Sequence, residues 1–334
     1  MGLEALAAPG RKANGNARAF AGVFVFALFA LGLGGCASLV PQTAALREGL
    51  PPDLPPTVEL KSVPFFPQTE YQCGPAALAT VLADAGEKVT PEELVPQVYL
   101  PERKGSLQVE MLAAARRHGM VSYLLAPRFT DMLREIASGT PVIVLWDQSP
   151  LGTWHYAVAM GYDYDKGKLL LRSGTDERDQ KPFAIHEFLW MRSGYWAMVA
   201  VPPNRIPVSA EETRWLSAVA ALEHAGQTKP AQVAYETFLK RWPNNTSAAI
   251  GLANTYYAMK DLPQAERVLR EAARRDPDSV IVLNNLAQTL SDEGKDDEAL
   301  GFIDRAAAAG GPYAGAVADT RKSILAKIAA KKKD

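Results

Sequence analysis

Phe65-Phe66-Pro67-Gln68-Thr69-Glu70-Tyr71-Gln72-Cys73-Gly74-Pro75-Ala76-Ala77-Leu78 reads as a loop running into a helix, with a cysteine at the junction. Pro75 suits a first helical turn, and Gly74 lets another backbone come close. Leu78, Val81 and Leu82 then share one face of a helix expected over Gly74 to Ala85, with small alanines between them. A thiol at a helix start feels the positive end of the dipole and free amides, both of which favour thiolate. Attack on a carbonyl needs that thiolate, because protonated sulfur is a poor nucleophile. The position alone is shared by many buried cysteines.

Downstream, Pro91-Glu92-Glu93-Leu94 opens another helix, and Gln108 to His118 forms a third with Val109, Leu112 and Ala113 on one side. Strands follow. Pro141-Val142-Ile143-Val144-Leu145-Trp146 is a continuous apolar run that suits a strand buried on both faces. His155 to Tyr162 and Lys168 to Arg172 are strands joined by the turn Asp163-Tyr164-Asp165-Lys166-Gly167, and Gly194 to Val201 gives a last strand. Helices first and an antiparallel sheet afterwards make residues 58–205 an α+β domain.

Of four histidines, His155 stands apart. It opens a strand between Trp154 and Tyr156, where an imidazole is held rigidly and can face a cleft. His118, in Arg116-Arg117-His118-Gly119, reads as a helix C-terminus; His186 and His224 lie on helical stretches, so structural roles are expected for all three. His186-Glu187 lacks the second histidine of a zincin, and one cysteine with scattered histidines makes no zinc site. No phosphate-cradling Gly-x4-Gly-Lys-Ser/Thr loop is present. Neither metal nor cofactor is expected.

Together, FPQTEYQCGPAALATVL and, about 80 residues on, WHYAVAMGYDYDKGKLLL resemble the bacteriocin-processing, double-glycine-leader type of papain-like cysteine peptidase, over about residues 60–200. The resemblance implies a papain-like α+β fold, with Cys73 as nucleophile and His155 as general base and then acid for the leaving amine. It also implies a glutamine before the cysteine that donates to the developing oxyanion: Gln68, five residues ahead, with Gln72 as the alternative. The acidic residue that orients the imidazole in this family falls at Ser173, within Leu171-Arg172-Ser173-Gly174. Serine accepts a hydrogen bond from the ring but cannot neutralise an imidazolium. Asp176 is the alternative, while Asp163 is expected to serve its own turn. The pattern is read as a peptidase that hydrolyses a peptide or protein through an acyl-enzyme; the alternative, which rests on Ser173, is a peptidase-like binding scaffold with weak or no turnover. A transferase or amidase using the same acyl thioester is a third reading.

From residue 209 to the end the chain is helical and repetitive. Ala231, Ala265 and Ala299 recur every 34 residues, Pro243 and Pro277 keep the same interval, and Pro312 comes one residue late. Trp215, Ala249 and Leu283 open the first helix of each unit, Leu222, Tyr256 and Leu290 follow seven residues on, and Tyr235, Leu269 and Ile303 mark the second helix. This resembles the tetratricopeptide repeat, which implies an all-α solenoid that binds a protein partner, with Ala314 to Lys327 as a cap.

Upstream, Arg11, Lys12 and Arg18 precede an apolar run from Ala19 to Leu33 that closes on Leu33-Gly34-Gly35-Cys36. The run is short for a membrane span, and the ending resembles a bacterial lipobox, so residues 1–35 are expected to be a signal peptide and Cys36 to take lipid. That makes the protein an exported, membrane-anchored lipoprotein. Ala37 after the cysteine points to the periplasmic face of the outer membrane if the cell is Gram-negative. Residues 36–57, ending in Pro51-Pro52-Asp53-Leu54-Pro55-Pro56, are expected to form a stiff extended tether. A net charge of −1 and 48% hydrophobic residues in 334 suit folded domains without a nucleic-acid-binding field. Only two cysteines exist, so a lipidated Cys36 leaves Cys73 an unpaired thiol in an exported protein, where thiols are uncommon.

Overall fold

The computed structural model describes residues 39–68, 72–148 and 153–332. The expected signal peptide and Cys36 lie outside them. The described residues fall into two units that part between Gly49 and Leu50. In the first, helix α1 (Pro41–Glu48) replaces part of the expected extended tether. Proline is tolerated in a first turn, and the Ala-Ala-Leu-Arg-Glu that follows favours helix.

The second unit begins with the proline-rich stretch, which is packed down instead of standing off as a spacer. Leu54 is buried, its N–H closes a turn on Pro51, and Tyr162 Oη donates to Pro55 O at 2.9 Å. Asp53 pairs with Arg134 at 2.7 Å.

The chain then forms β1 (Thr57–Glu59), α2 (Cys73–Asp84), α3 (Pro91–Val98), β2 (Tyr99–Leu100), β3 (Gly105–Ser106), α4 (Gln108–Arg117) and β4 (Val121–Leu124). It continues through α5 (Phe129–Ala137), β5 (Val142–Asp147), β6 (Trp154–Asp163), β7 (Lys168–Ser173), β8 (Asp176–Pro182), α6 (Phe183–Trp190) and β9 (Ala197–Val201). Seven strands make one antiparallel sheet in the order β4-β9-β5-β6-β7-β8, with β1 beside the far end of β6. Every residue of β5 is buried, as its apolar run requires. On one face Ile143, Leu145, Tyr156, Val158 and Met160 pack with Leu78, Val81 and Leu82 of α2, Leu94 of α3, and Met111 and Ala114 of α4. The other face carries an aromatic cluster of Trp146, Phe129, His186 and Trp190.

One helix is rotated from expectation. Met111, Ala114 and Ala115 are the buried side of α4, whereas Val109 is 62% exposed. The apolar residues of this short helix fit two stripes, and the sheet's position chooses between them.

Six helices follow in pairs: α7 (Glu212–His224) with α8 (Thr228–Arg241), α9 (Thr246–Ala258) with α10 (Leu262–Arg275), and α11 (Val280–Asp292) with α12 (Asp296–Ala309). A longer α13 (Ala314–Lys331) ends the stack. Ala231, Ala265 and Ala299 are each fully buried, so the recurring small residue marks where paired helices meet. The junction with the sheet domain is packed. Tyr123 of β4 meets Trp215 of α7 edge-on at 5.6 Å and accepts from Glu211 N at 3.1 Å. The buried Glu135 carboxylate accepts from Ser209 N and Oγ at 2.7 and 2.6 Å. Among the described residues, no helix is long and apolar enough to cross a membrane.

Candidate functional site

The start of α2 faces the strand that carries His155, near the end of β7. Cys73 is the first residue of α2, His155 the second of β6, and Ser173 the last of β7. Residues Gly74 to Leu82 are all buried, and Gly74, Ala76, Ala77 and Ala79 let the helix lie close to its neighbours. At Gly74 a Cβ would fall 2.2 Å from Ser106 Oγ, so glycine is required. Tyr156 Oη donates to Ser106 O at 3.2 Å, which ties β3 to the strand bearing His155. Gly161 meets a similar demand farther along, where β6 bulges and a Cβ would lie 2.6 Å from Val58 O.

Cys73 is half-buried, and its thiol faces the backbone amides of Tyr156, Gly74 and Cys73 itself. Burial pushes the thiol up, against the pull of those amides. The amides pull in the direction the helix start implies, and loss of water outweighs them. His155 Nε2 lies 3.0 Å from Ser173 Oγ. When the hydroxyl accepts that proton, Nδ1 is left with its lone pair free. Among the described residues no hydrogen bond joins the thiol to the imidazole; the group facing the sulfur belongs to Tyr156, the next residue along. Burial first and then Lys181, with Asp179 opposing, lower His155 to about 4, so the ring is neutral at neutral pH.

Gln68 and Gln72 are placed differently. Gln68 N donates to Gly174 O at 3.0 Å, which pins its segment to the corner after Ser173. Gln72 precedes α2, its carbonyl accepts from Ala76 N, and its side chain makes no capping bond. Asp176 is exposed and opposes Ser173 in the β7–β8 ladder, but it is Ser173 that meets the ring. Asp163 serves its turn, accepting from Lys166 N at 3.1 Å. His118 follows α4, His224 ends α7, and His186 is fully enclosed on α6.

Sequence reasoning missed the surroundings of the ring. Trp146 walls it at 5.6 Å between centroids, with Lys181 Nζ 5.3 Å over the indole and paired with Asp179 at 3.2 Å. Asp179 and Lys181 come from β8, whose Asp-Glu-Arg-Asp-Gln-Lys-Pro has no apolar side to announce a strand. The only available signal was alternation: Asp179 and Lys181 are the half-buried positions between exposed neighbours.

Comparison with known proteins bears on both halves. Residues 60–186 match the Peptidase_C39 like family and residues 222–282 match the Tetratricopeptide repeat. No curated protein matches the chain. Among solved structures, a C39-like peptidase from Bacillus anthracis is 16% identical with a TM-score of 0.37, covering 43% of this chain and 97% of that one. The TPR2B domain of yeast Sti1 in its pHsp70 complex is 16% identical, TM-score 0.34, over 35% of this chain and 97% of that one. The Yersinia enterocolitica type III secretion chaperone SycD, bound to a peptide of the translocator YopD, is 16% identical, TM-score 0.33, over 35% and 96%. The matched segments and the architecture agree: an α+β sheet domain resembling a C39-like peptidase is followed by a run of helices that match tetratricopeptide repeats.

Proposed function

We propose that the chain is a cysteine peptidase, exported and held to a membrane through a lipidated Cys36, whose repeats hold a substrate or partner protein. One observation carries the reading. The Cys73 thiol faces the amide of the residue next to His155, while Ser173 Oγ lies against the ring's Nε2. In the reaction, Cys73 Sγ gives its proton to His155 Nδ1 as sulfur attacks the substrate carbonyl carbon. Charge moves to the carbonyl oxygen, where the Gln68 amide donates; such a donor is worth about 2.7–4 kcal/mol. The C–N bond then breaks as the imidazolium protonates the amine. Water, deprotonated by His155, releases the acid from the thioester and returns a proton to sulfur.

Burial raises the thiol and lowers the imidazole, so both shifts favour the neutral pair at rest, and proton transfer accompanies attack. A binding module without turnover is the second reading. It is favoured by the neutral hydroxyl at His155 Nε2, with no carboxylate hydrogen-bonded to the ring among the described residues.

Mass spectrometry of a peptide library incubated with the mature protein decides between them, with double-glycine sequences as the first substrates to try. Cleavage that disappears in Cys73→Ala is expected; an intact library would leave the binding module. Labelled palmitate should mark the wild-type chain in cells and not Cys36→Ser, and equal labelling would remove the anchor.

A further inference from the structure

We infer that Arg172 is a positioning residue for this site, holding the Gln68 segment and the His155 ring in one register. The inference rests on the peptidase reading. Arg172 lies on β7 opposite Val158 and is 8% exposed. Its nearest carboxylate oxygen, on the mostly exposed Glu177, is 3.9 Å away. The guanidinium donates instead to backbone carbonyls. Nε and Nη2 both donate to Val63 O, at 3.2 and 2.8 Å, Nη2 reaches Lys61 O at 3.5 Å, and Nη1 donates to Glu177 O at 2.5 Å.

The next two residues continue the pattern. Ser173 Oγ holds His155 Nε2, and Gly174 O accepts from Gln68 N. Three consecutive residues thus fasten the segment 61–68 twice and the imidazole once. A desolvated cation gripped only by carbonyls is a costly way to fill space, and an apolar side chain of the same volume would fill it without that cost. What only a planar fork provides is alignment of two distant backbone segments. With the fork gone, Val63 and Phe66 stay packed on the core, but the Gln68 N–H to Gly174 O bond is the hydrogen bond left between segment 61–68 and this end of β7, and the Gln68 amide loses a fixed bearing on the reacting carbonyl.

The test uses the full mature chain and a cleaved peptide. It compares kcat and KM of wild type, Cys73→Ala, Arg172→Met, Arg172→Lys, Gln68→Ala and the double variant Arg172→Lys/Gln68→Ala. Arg172→Lys is expected to keep the wild-type circular dichroism and KM within about threefold, while kcat falls roughly 30-fold. Gln68→Ala should cost about 100-fold in kcat, and the double variant no more than that within about threefold, because both changes remove one donor. Backbone amides of 61–68 should exchange at least about tenfold faster in Arg172→Lys. Losses that multiply, or loss of folding in both arginine variants, would reduce Arg172 to a fold residue. An unchanged kcat in Arg172→Lys beside a dead Cys73→Ala sinks this inference alone; absence of Cys73-dependent turnover in the wild type sinks the peptidase reading with it.

Discussion

His155 and His186 sit against the same indole, each with its ring centroid 5.6 Å from that of Trp146. Burial lowers both, to about 4 and about 3. In other respects they differ. His155 opens a strand, is partly exposed and has a hydroxyl at Nε2. His186 is fully enclosed by Phe129, Trp146 and Trp190, and among the described residues neither of its ring nitrogens has a hydrogen-bond partner. It behaves as an aromatic core residue that happens to titrate. A depressed imidazole therefore does not identify a base; a partner on one nitrogen and access to the other do.

The strongest way to break this contrast is kinetic. His155→Ala should lower kcat/KM by at least about a thousandfold, while His186→Phe stays within about threefold of wild type. Similar losses at both positions, in progress curves on one peptide, would erase the distinction.

Acid stability comes next. Each imidazole titrates lower in the folded chain than at its ordinary 6.5. Between those values the unfolded chain binds protons the folded chain refuses, so stability declines as pH falls through the window. For His186 the loss by pH 4 is roughly 3 kcal/mol. His186→Phe should remove it, and urea midpoints at pH 7 and pH 4 measure the difference. A variant as acid-labile as wild type would mean the ring is not buried neutral.

The orienting group is tested at Ser173. Ser173→Ala should lower kcat about tenfold, whereas Ser173→Asp should raise the pH of the acid limb in a rate profile, because a carboxylate stabilises the imidazolium. An aspartate variant with an unmoved limb would place the orienting contact elsewhere. The smallest effect belongs to β8. Lys181→Met should raise the acid limb by less than about one pH unit and Asp179→Asn should lower it, following the signs of their charges on His155. Shifts of the same sign in both variants would contradict that arrangement.

What was legible in the sequence had a local or periodic signature. Cys73 stands before Gly74 and Pro75 at a helix start, His155 opens an alternating strand, and the alanines of the repeats return at a fixed interval. Ser173 was found by counting along a motif, and the structure does bring it to the ring. The rest depends on register between remote segments. Two of the three carbonyls held by Arg172, those of Val63 and Lys61, lie 109 and 111 residues away in sequence, and nothing near Arg172 points to them. The buried side of α4 was misread because a ten-residue helix offers two apolar stripes, and only the sheet decides between them. The proline-rich stretch was misread because composition gives stiffness but not the hydroxyl of Tyr162 that draws Pro55 down.

The seam around Tyr123, Glu135 and Trp215 bears on how the protein melts. Cut after residue 205, the sheet domain would lose Ser209 as a donor to a buried carboxylate and bare the ring of Tyr123. The repeats alone would expose Trp215, which is fully covered in the intact chain. Each half thus supplies part of the other's interior, and cooperativity should cross the boundary that the sequence draws. Heating the chain from residue 50 onward is expected to give one calorimetric transition, so two matches along the sequence correspond to a single thermodynamic object.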